Sequence, residues 1–115
     1  MTRSEFDFIK ECKDYDDYVN RLKNNKIDYI CSMFNVTLDM VRSGVRVKEV
    51  AYARYMIADE IGDYMTNAEV SDYLNRSRHE LRWSRAKIVE AASGFNPELL
   101  KYIKKWEKIK KSQEL

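Results

Sequence analysis

Arginines able to grip phosphates or the acceptor edge of guanine crowd one stretch of the chain, TNAEVSDYLNRSRHELRWSRAKIVEAA, from Thr66 to Ala92. Arg76, Arg78, Arg82, Arg85 and Lys87 stand there with His79, and the only acid between Arg76 and Lys87 is Glu80. A guanidinium offers its N–H groups as a planar fork, which pairs with two phosphate oxygens or with O6 and N7 of guanine. The chemistry on offer is recognition of a polyanion. Bond-making chemistry lacks its parts: the chain has one histidine, two cysteines without metal-type spacing and no Gly-rich phosphate loop. An enzyme is not expected, nor a metal or cofactor.

Positioning these side chains falls to two helices and a turn. Thr66 with Glu69 fits a capping box and opens a short helix, Asn67 to Leu74, with Ala68, Val70 and Leu74 inward. Asn75-Arg76-Ser77 is a tight polar turn. Ser77 then caps a second helix ending near Ser93-Gly94, with Glu80 at the third position to repeat the capping box or to accept from a cytosine. Leu81, Ser84, Ile88 and Ala92 line up as its buried face. Arg78, Arg82 and Arg85 form a neighbouring stripe, and His79, Trp83 and Ala86 a third. Trp83 is expected to pack against the last helix, the alternative being that it lies over the sugar-phosphate backbone. Short helix, turn and basic second helix is the helix-turn-helix pattern, in which the second helix enters the DNA major groove. Thr66 and Asn67 would meet a phosphate through the free N–H groups of their helix.

The rest of the 115-residue chain supplies the support. With 44% hydrophobic and 35% charged residues, but only three glycines and one proline, it reads as one all-α domain with a core of its own. The net charge of +2 hides the local basic cluster. Ser4 caps a helix over about 5–23 with an apolar stripe at Phe8, Cys12, Tyr15, Val19 and Leu22. Asn24-Asn25 breaks it, and a second helix follows over 27–34. Thr37 caps a short helix through Val41, with Asp39 in its first turn. Arg42, Arg46 and Lys48 make the loop around Gly44 basic. A long helix runs from about Val47 to Met65, and Gly62 inside it implies a close contact. Gly94 stops the basic helix, and Asn96-Pro97-Glu98 starts a last one to about Lys111, with Leu99, Tyr102, Ile103, Trp106 and Ile109 on one face and lysines on the rest. Cys12 and Cys31 are expected as buried free thiols. The acidic N-terminus has no apolar run and no stretch is long enough to span a membrane, so a cytoplasmic protein is expected.

From Ile27 to about Glu90 the chain resembles the C-terminal DNA-binding domain (domain IV) of the bacterial replication initiator DnaA, which shares its fold with the Trp repressor. Phe34-Asn35-Val36-Thr37-Leu38-Asp39 is similar to the family's F-G-V-S-x-[ED]. Ser43 to Arg54, SGVRVKEVAYAR, is similar to S-x-x-R-x-[RK]-x-[VI]-x-x-[AP]-R. Arg76-Ser77-Arg78-His79-Glu80-Leu81 stands where the family has R-D-H-[ST]-T-V, and Ala86-Lys87-Ile88 near its R-K-I. The resemblance covers a little over half the chain, and the middle block is its most specific part. It implies that Arg46 enters a minor groove beside the recognised major groove. The exposed start of the second helix offers Ser77, Arg78, His79 and Arg82 to base edges, and Lys48, Arg54, Thr66, Asn67, Arg76, Arg85 and Lys87 are the phosphate candidates. Arg54 and Arg85 lie close to apolar stripes, where a structural salt bridge is the alternative. The departures fall at residues 77–80, where specificity must be the chain's own. No GxxxxGK[ST] occurs, so the resemblance implies binding without nucleotide-driven melting.

The expected organisation is a compact helical unit: residues 1–26 as an N-terminal extension, 27–94 as the initiator-type helix-turn-helix domain and 95–115 as a C-terminal amphipathic helix. The expected function is a stand-alone double-stranded DNA-binding protein regulating transcription or replication, of phage or mobile-element origin. A protein-interaction adaptor that keeps the fold and has lost DNA contact is the rival. The apolar stripes of the two terminal helices must be covered by the core or by a second copy, which motivates a homodimer.

Overall fold

One helix forms the axis of the molecule. In the computed structural model, which describes residues 15–113, α3 (Lys48–Ile61) buries Val50, Ala53, Met56, Ile57, Ala58, Glu60 and Ile61. Around it pack α1 (Tyr15–Phe34), α2 (Leu38–Arg42), α4 (Asn67–Leu74) and α5 (Arg78–Ala92), while α6 (Pro97–Gln113) packs on α5. The described residues contain no strand, so the class is all-α. None of these helices is long and apolar enough to cross a membrane. Ile27, Ile30, Phe34, Val41, Val70, Leu74, Leu81, Ala91, Leu99 and Trp106 complete a single core.

Local chemistry sets the helix ends. Asn35 and Asn75 both take φ 55°, and Gly94 takes φ 93°. After each, the next amide bonds five residues back: Val36 N to Cys31 O, Arg76 N to Ser71 O and Phe95 N to Glu90 O, each 3.0 Å. This is the left-handed stop that asparagine and glycine tolerate best. A new cap then stands at Thr37, Ser77 or Asn96, and its side-chain oxygen accepts the N–H three residues on. At Thr66 the box is closed both ways, with Glu69 N on Thr66 Oγ1 at 3.2 Å and Thr66 N on Glu69 Oε1 at 3.1 Å. Thr66→Ala is expected to cost about 1 kcal/mol of stability. Urea denaturation would measure it as a lowered midpoint at unchanged slope.

The structure corrects several expectations. Asn24-Asn25 breaks nothing: α1 runs through it to Phe34. Both asparagines are exposed. They cost a few tenths of a kcal/mol each in helix propensity, less than packing of the buried Lys26, Ile27, Ile30 and Cys31 just beyond returns. The expected helix start at Ser4–Glu5, with Phe8 and Cys12, lies outside the described residues. The long helix ends at Ile61 rather than Met65. Past Gly62 the ladder tightens into turn bonds, Asp63 N to Glu60 O and Tyr64 N to Ile61 O, which frees Thr66 to cap α4. Gly62 does make the expected close approach. A Cβ there would stand 3.2 Å from both Ala58 O and Arg85 Nη2. On α5 the buried stripe ends at Ala91, and Ala92 is exposed.

The C-terminal helix is covered by its own chain. Leu99 and Trp106 are buried, Tyr102 stacks on Phe34 at 4.4 Å between ring centroids, and Trp106 lies 6.4 Å from Tyr29. That stripe needs no second copy. Beneath it sits a charged knot that joins α1, α3 and α6. Glu60 receives hydrogen bonds from Trp106 Nε1 at 3.0 Å and Lys110 Nζ at 3.2 Å, and pairs with Lys26 Nζ at 3.1 Å. Lys26 also donates to Tyr64 Oη. Cys31 is buried as expected, and burial together with Asp28 pushes its thiol up to about 11.

Candidate nucleic-acid interface

Helix α5 separates a core side from an outer side. Leu81, Ser84 and Ala91 are buried, and Ser84 Oγ satisfies itself on Glu80 O at 3.0 Å. Outward stand Arg78, His79, Arg82, Trp83, Arg85, Ala86 and Val89, all exposed. Among the described residues Arg78, His79 and Arg82 make no hydrogen bond or ion pair with another side chain. A guanidinium left in water at the start of a helix keeps its whole fork for an external acceptor.

Two clefts flank this helix start. Asn67, Arg78, Leu81, Arg82 and Arg85 line one of them. Arg85 Nη2 donates to Asn67 Oδ1 at 2.8 Å, which fixes that guanidinium beside the N-terminus of α4. Three arginine side chains therefore converge on this cleft. Arg85, expected as a phosphate contact or in a structural salt bridge, is anchored by this hydrogen bond to Asn67 and by its close approach to Gly62.

The second cleft is lined by Gly44, Val45, Arg46, Arg54, Arg76 and Glu80. It lies between the basic loop and the turn of residues 75–77. Arg46 is exposed at its mouth, with no partner among the described residues. Arg54 and Arg76 are phosphate contacts in the sequence reading, and the structure turns both inward. Arg54 Nε donates to Val41 O at 2.9 Å and its Nη2 to Ser43 O at 3.3 Å. Arg76 Nη2 donates to the same Ser43 carbonyl, its Nη1 to Asn75 O at 2.9 Å, and its Nε faces Glu80 Oε2 at 3.4 Å. Only 13% of the Arg76 side chain is exposed. One carbonyl at the end of α2 therefore carries two guanidiniums, which holds the Arg46 loop against the turn that starts α5. Burial first, and the neighbouring Arg76 charge second, lower the Arg54 pKa from its ordinary value.

Glu80 serves this junction rather than a second capping box. Its amide bonds Ser77 Oγ at 3.2 Å, but its carboxylate meets Arg76. Lys48 pairs with Glu98 at 2.9 Å across the starts of α3 and α6, both side chains about half exposed. A pair so open to water is screened by solvent and contributes little, and Lys48 stays available to an external anion. Lys87 lies over the Trp83 ring, 4.3 Å from its centroid, with Glu90 at 3.5 Å.

Trp83 departs from expectation. It does not pack on the last helix: 56% of it is exposed in the middle of the outer face of α5. The apolar filling between α6 and the core comes from Leu99 and Trp106 instead. Its place in one stripe with His79 and Ala86 was the signal in the sequence. The part played by the Ser43 carbonyl had no signal, because a backbone carbonyl has no residue type. Among the described residues no cluster of histidine, cysteine and carboxylate side chains is placed to hold a metal ion.

No protein-family model matches this chain, and no curated protein matches it by sequence.

Proposed function

We propose that this chain reads double-stranded DNA, with α4, the turn and α5 acting as a helix-turn-helix in the major groove and the Arg46 loop in the adjacent minor groove. The observation that carries the reading is the juxtaposition of uncompensated cations on two separate elements. Arg78 and Arg82, with the exposed His79 between them, open α5, and Arg46 stands on a loop that Arg76 and Arg54 bind to the same turn. A rigid link between a helix and a basic loop suits a ligand with two grooves at fixed spacing. Asn67 and Arg85 would hold a backbone phosphate, and Lys48 and Lys87 would add charge without reading sequence. Arg54, Arg76, Thr66 and Ser77 act as positioning residues in this account.

The resemblance to the initiator's DNA-binding domain supports the same mode. By that analogy the chain regulates transcription or replication in a bacterial cell or phage-infected host. With Leu99 and Trp106 covered within the chain, the monomer is the binding unit we propose. Exposure of Trp83 and Phe95 favours the rival, an adaptor that meets protein. Selection from a random duplex library at low salt separates the two. A recovered motif with both a major-groove and a neighbouring A·T-rich element is the expected result. An unenriched pool would overturn the DNA reading.

A further inference from the structure

Trp83 is the largest apolar group on the outer face of α5, and 56% of it is exposed. It stands one helical turn beyond His79 and next to Arg82, both exposed. Lys87 covers one ring face at 4.3 Å, which holds the indole by cation–π attraction and leaves its remaining surface outward. An exposed aromatic ring beside the free Arg82 guanidinium, with Lys87 over one face, suits a partner that is anionic overall and apolar at one point. In a DNA major groove the one apolar group on the base edges is the C5-methyl of thymine.

We infer that Trp83 is a specificity-determining residue that packs its indole on a thymine methyl, placed about one helical turn along α5 from the bases met by Arg78 and His79. This rests on the DNA-binding reading above and adds to it a named base and a named atom. Lysine at position 87 fixes the ring orientation, and the indole reads the methyl by burial. Phosphate contact by Trp83 would carry no such dependence, since uracil and thymine duplexes share one backbone.

Replacing each thymine of a selected duplex in turn by uracil removes single methyl groups and nothing else. For the wild-type chain one thymine, or two adjacent ones, should weaken binding by about fourfold when so replaced, the value of one buried methyl group. In Trp83→Ala that position should become indifferent to the exchange while Arg78-dependent guanine preference persists. Trp83→Phe keeps an apolar ring and should retain part of the dependence. Far-ultraviolet circular dichroism on each variant checks that the helices are intact. Specific DNA binding with no uracil-sensitive position, or with one unchanged in Trp83→Ala, would overturn the inference and leave the DNA reading standing. Failure of the wild type to bind any duplex would overturn both.

Discussion

Replacing Glu60 by alanine should remove about 3–5 kcal/mol of folding stability, the usual cost of leaving one half of a buried ion pair alone. Glu60 is only 6% exposed and satisfies Trp106, Lys110 and Lys26 together. Its loss leaves the buried Lys26 ammonium with Tyr64 as its remaining partner among the described residues. A domain of ordinary stability holds about 5–15 kcal/mol in total, so this single change removes a large share. The same knot sets a pH dependence. Burial pushes the Glu60 carboxyl up, but hydrogen bonds from Trp106 and Lys26, with the charges of Lys110 and Lys26, more than reverse it and hold it below the usual glutamate value. A carboxyl depressed in the folded state stabilises the fold above its unfolded pKa, about 4.3. That contribution is lost as pH falls through the lower folded value. Lys26 behaves oppositely: burial lowers its pKa, and hydrogen bonds to Tyr64 and Glu60 with the Glu60 charge raise it beyond the ordinary lysine value. Its contribution is present below about pH 10.4 and is lost as pH rises through the higher folded pKa. Chemical denaturation of wild type and Glu60→Gln across pH 2–7 checks the acid side. A flatter acid limb in the variant is expected, and identical limbs would remove Glu60 from the account.

Arg78→Ala and Arg82→Ala carry the second large effect, on base preference. A guanidinium that pairs with O6 and N7 of guanine discriminates by about 1–3 kcal/mol, or roughly 5- to 150-fold in affinity. Each variant should lose that much on its selected duplex and far less on unrelated DNA, because on the proposed reading Arg46 would still enter the minor groove and Arg85, Lys48 and Lys87 would still meet phosphates. Lys48→Ala should do the reverse, weakening all duplexes alike. Its effect is smaller because Glu98 already competes for that ammonium at 2.9 Å. Paired titrations of selected and scrambled duplexes at one salt concentration measure both. Equal losses on both duplexes for Arg78→Ala would mean that another helix reads the bases.

What could be read from the residue order was local. Thr66 with Glu69, Ser77 and the Asn75 turn act within a few residues, so their types alone determine α4, the turn and the start of α5. Gly62 announced a close neighbour by its mere presence in a helix, and Arg85 is that neighbour. Features made by distant residues were hidden. Asn24-Asn25 reads as a break because propensity is visible, and the contacts of Lys26 with Glu60 and of Phe34 with Tyr102 are not. Glu60 lies on the buried stripe of α3, where a carboxylate looks misplaced until Lys26, Trp106 and Lys110 arrive from two other helices. Arg54 and Arg76 look like free cations in sequence, and only the loop brings the Ser43 carbonyl to them. The candidate surface was thus legible in its helix and its free arginines, and not in the brace beneath it.

The central claim is tested most directly by measuring duplex affinity as a function of salt. If α5 and the Arg46 loop neutralise phosphates, log K should fall linearly with log salt, with a slope near −0.9 for each phosphate engaged. Arg46→Ala should lower that slope by about one contact. A steep linear fall, shallower in the variant, is the predicted result. Undetectable binding to any duplex at about 50 mM salt, where phosphate contacts are strong, would contradict the account and favour a protein partner for this face.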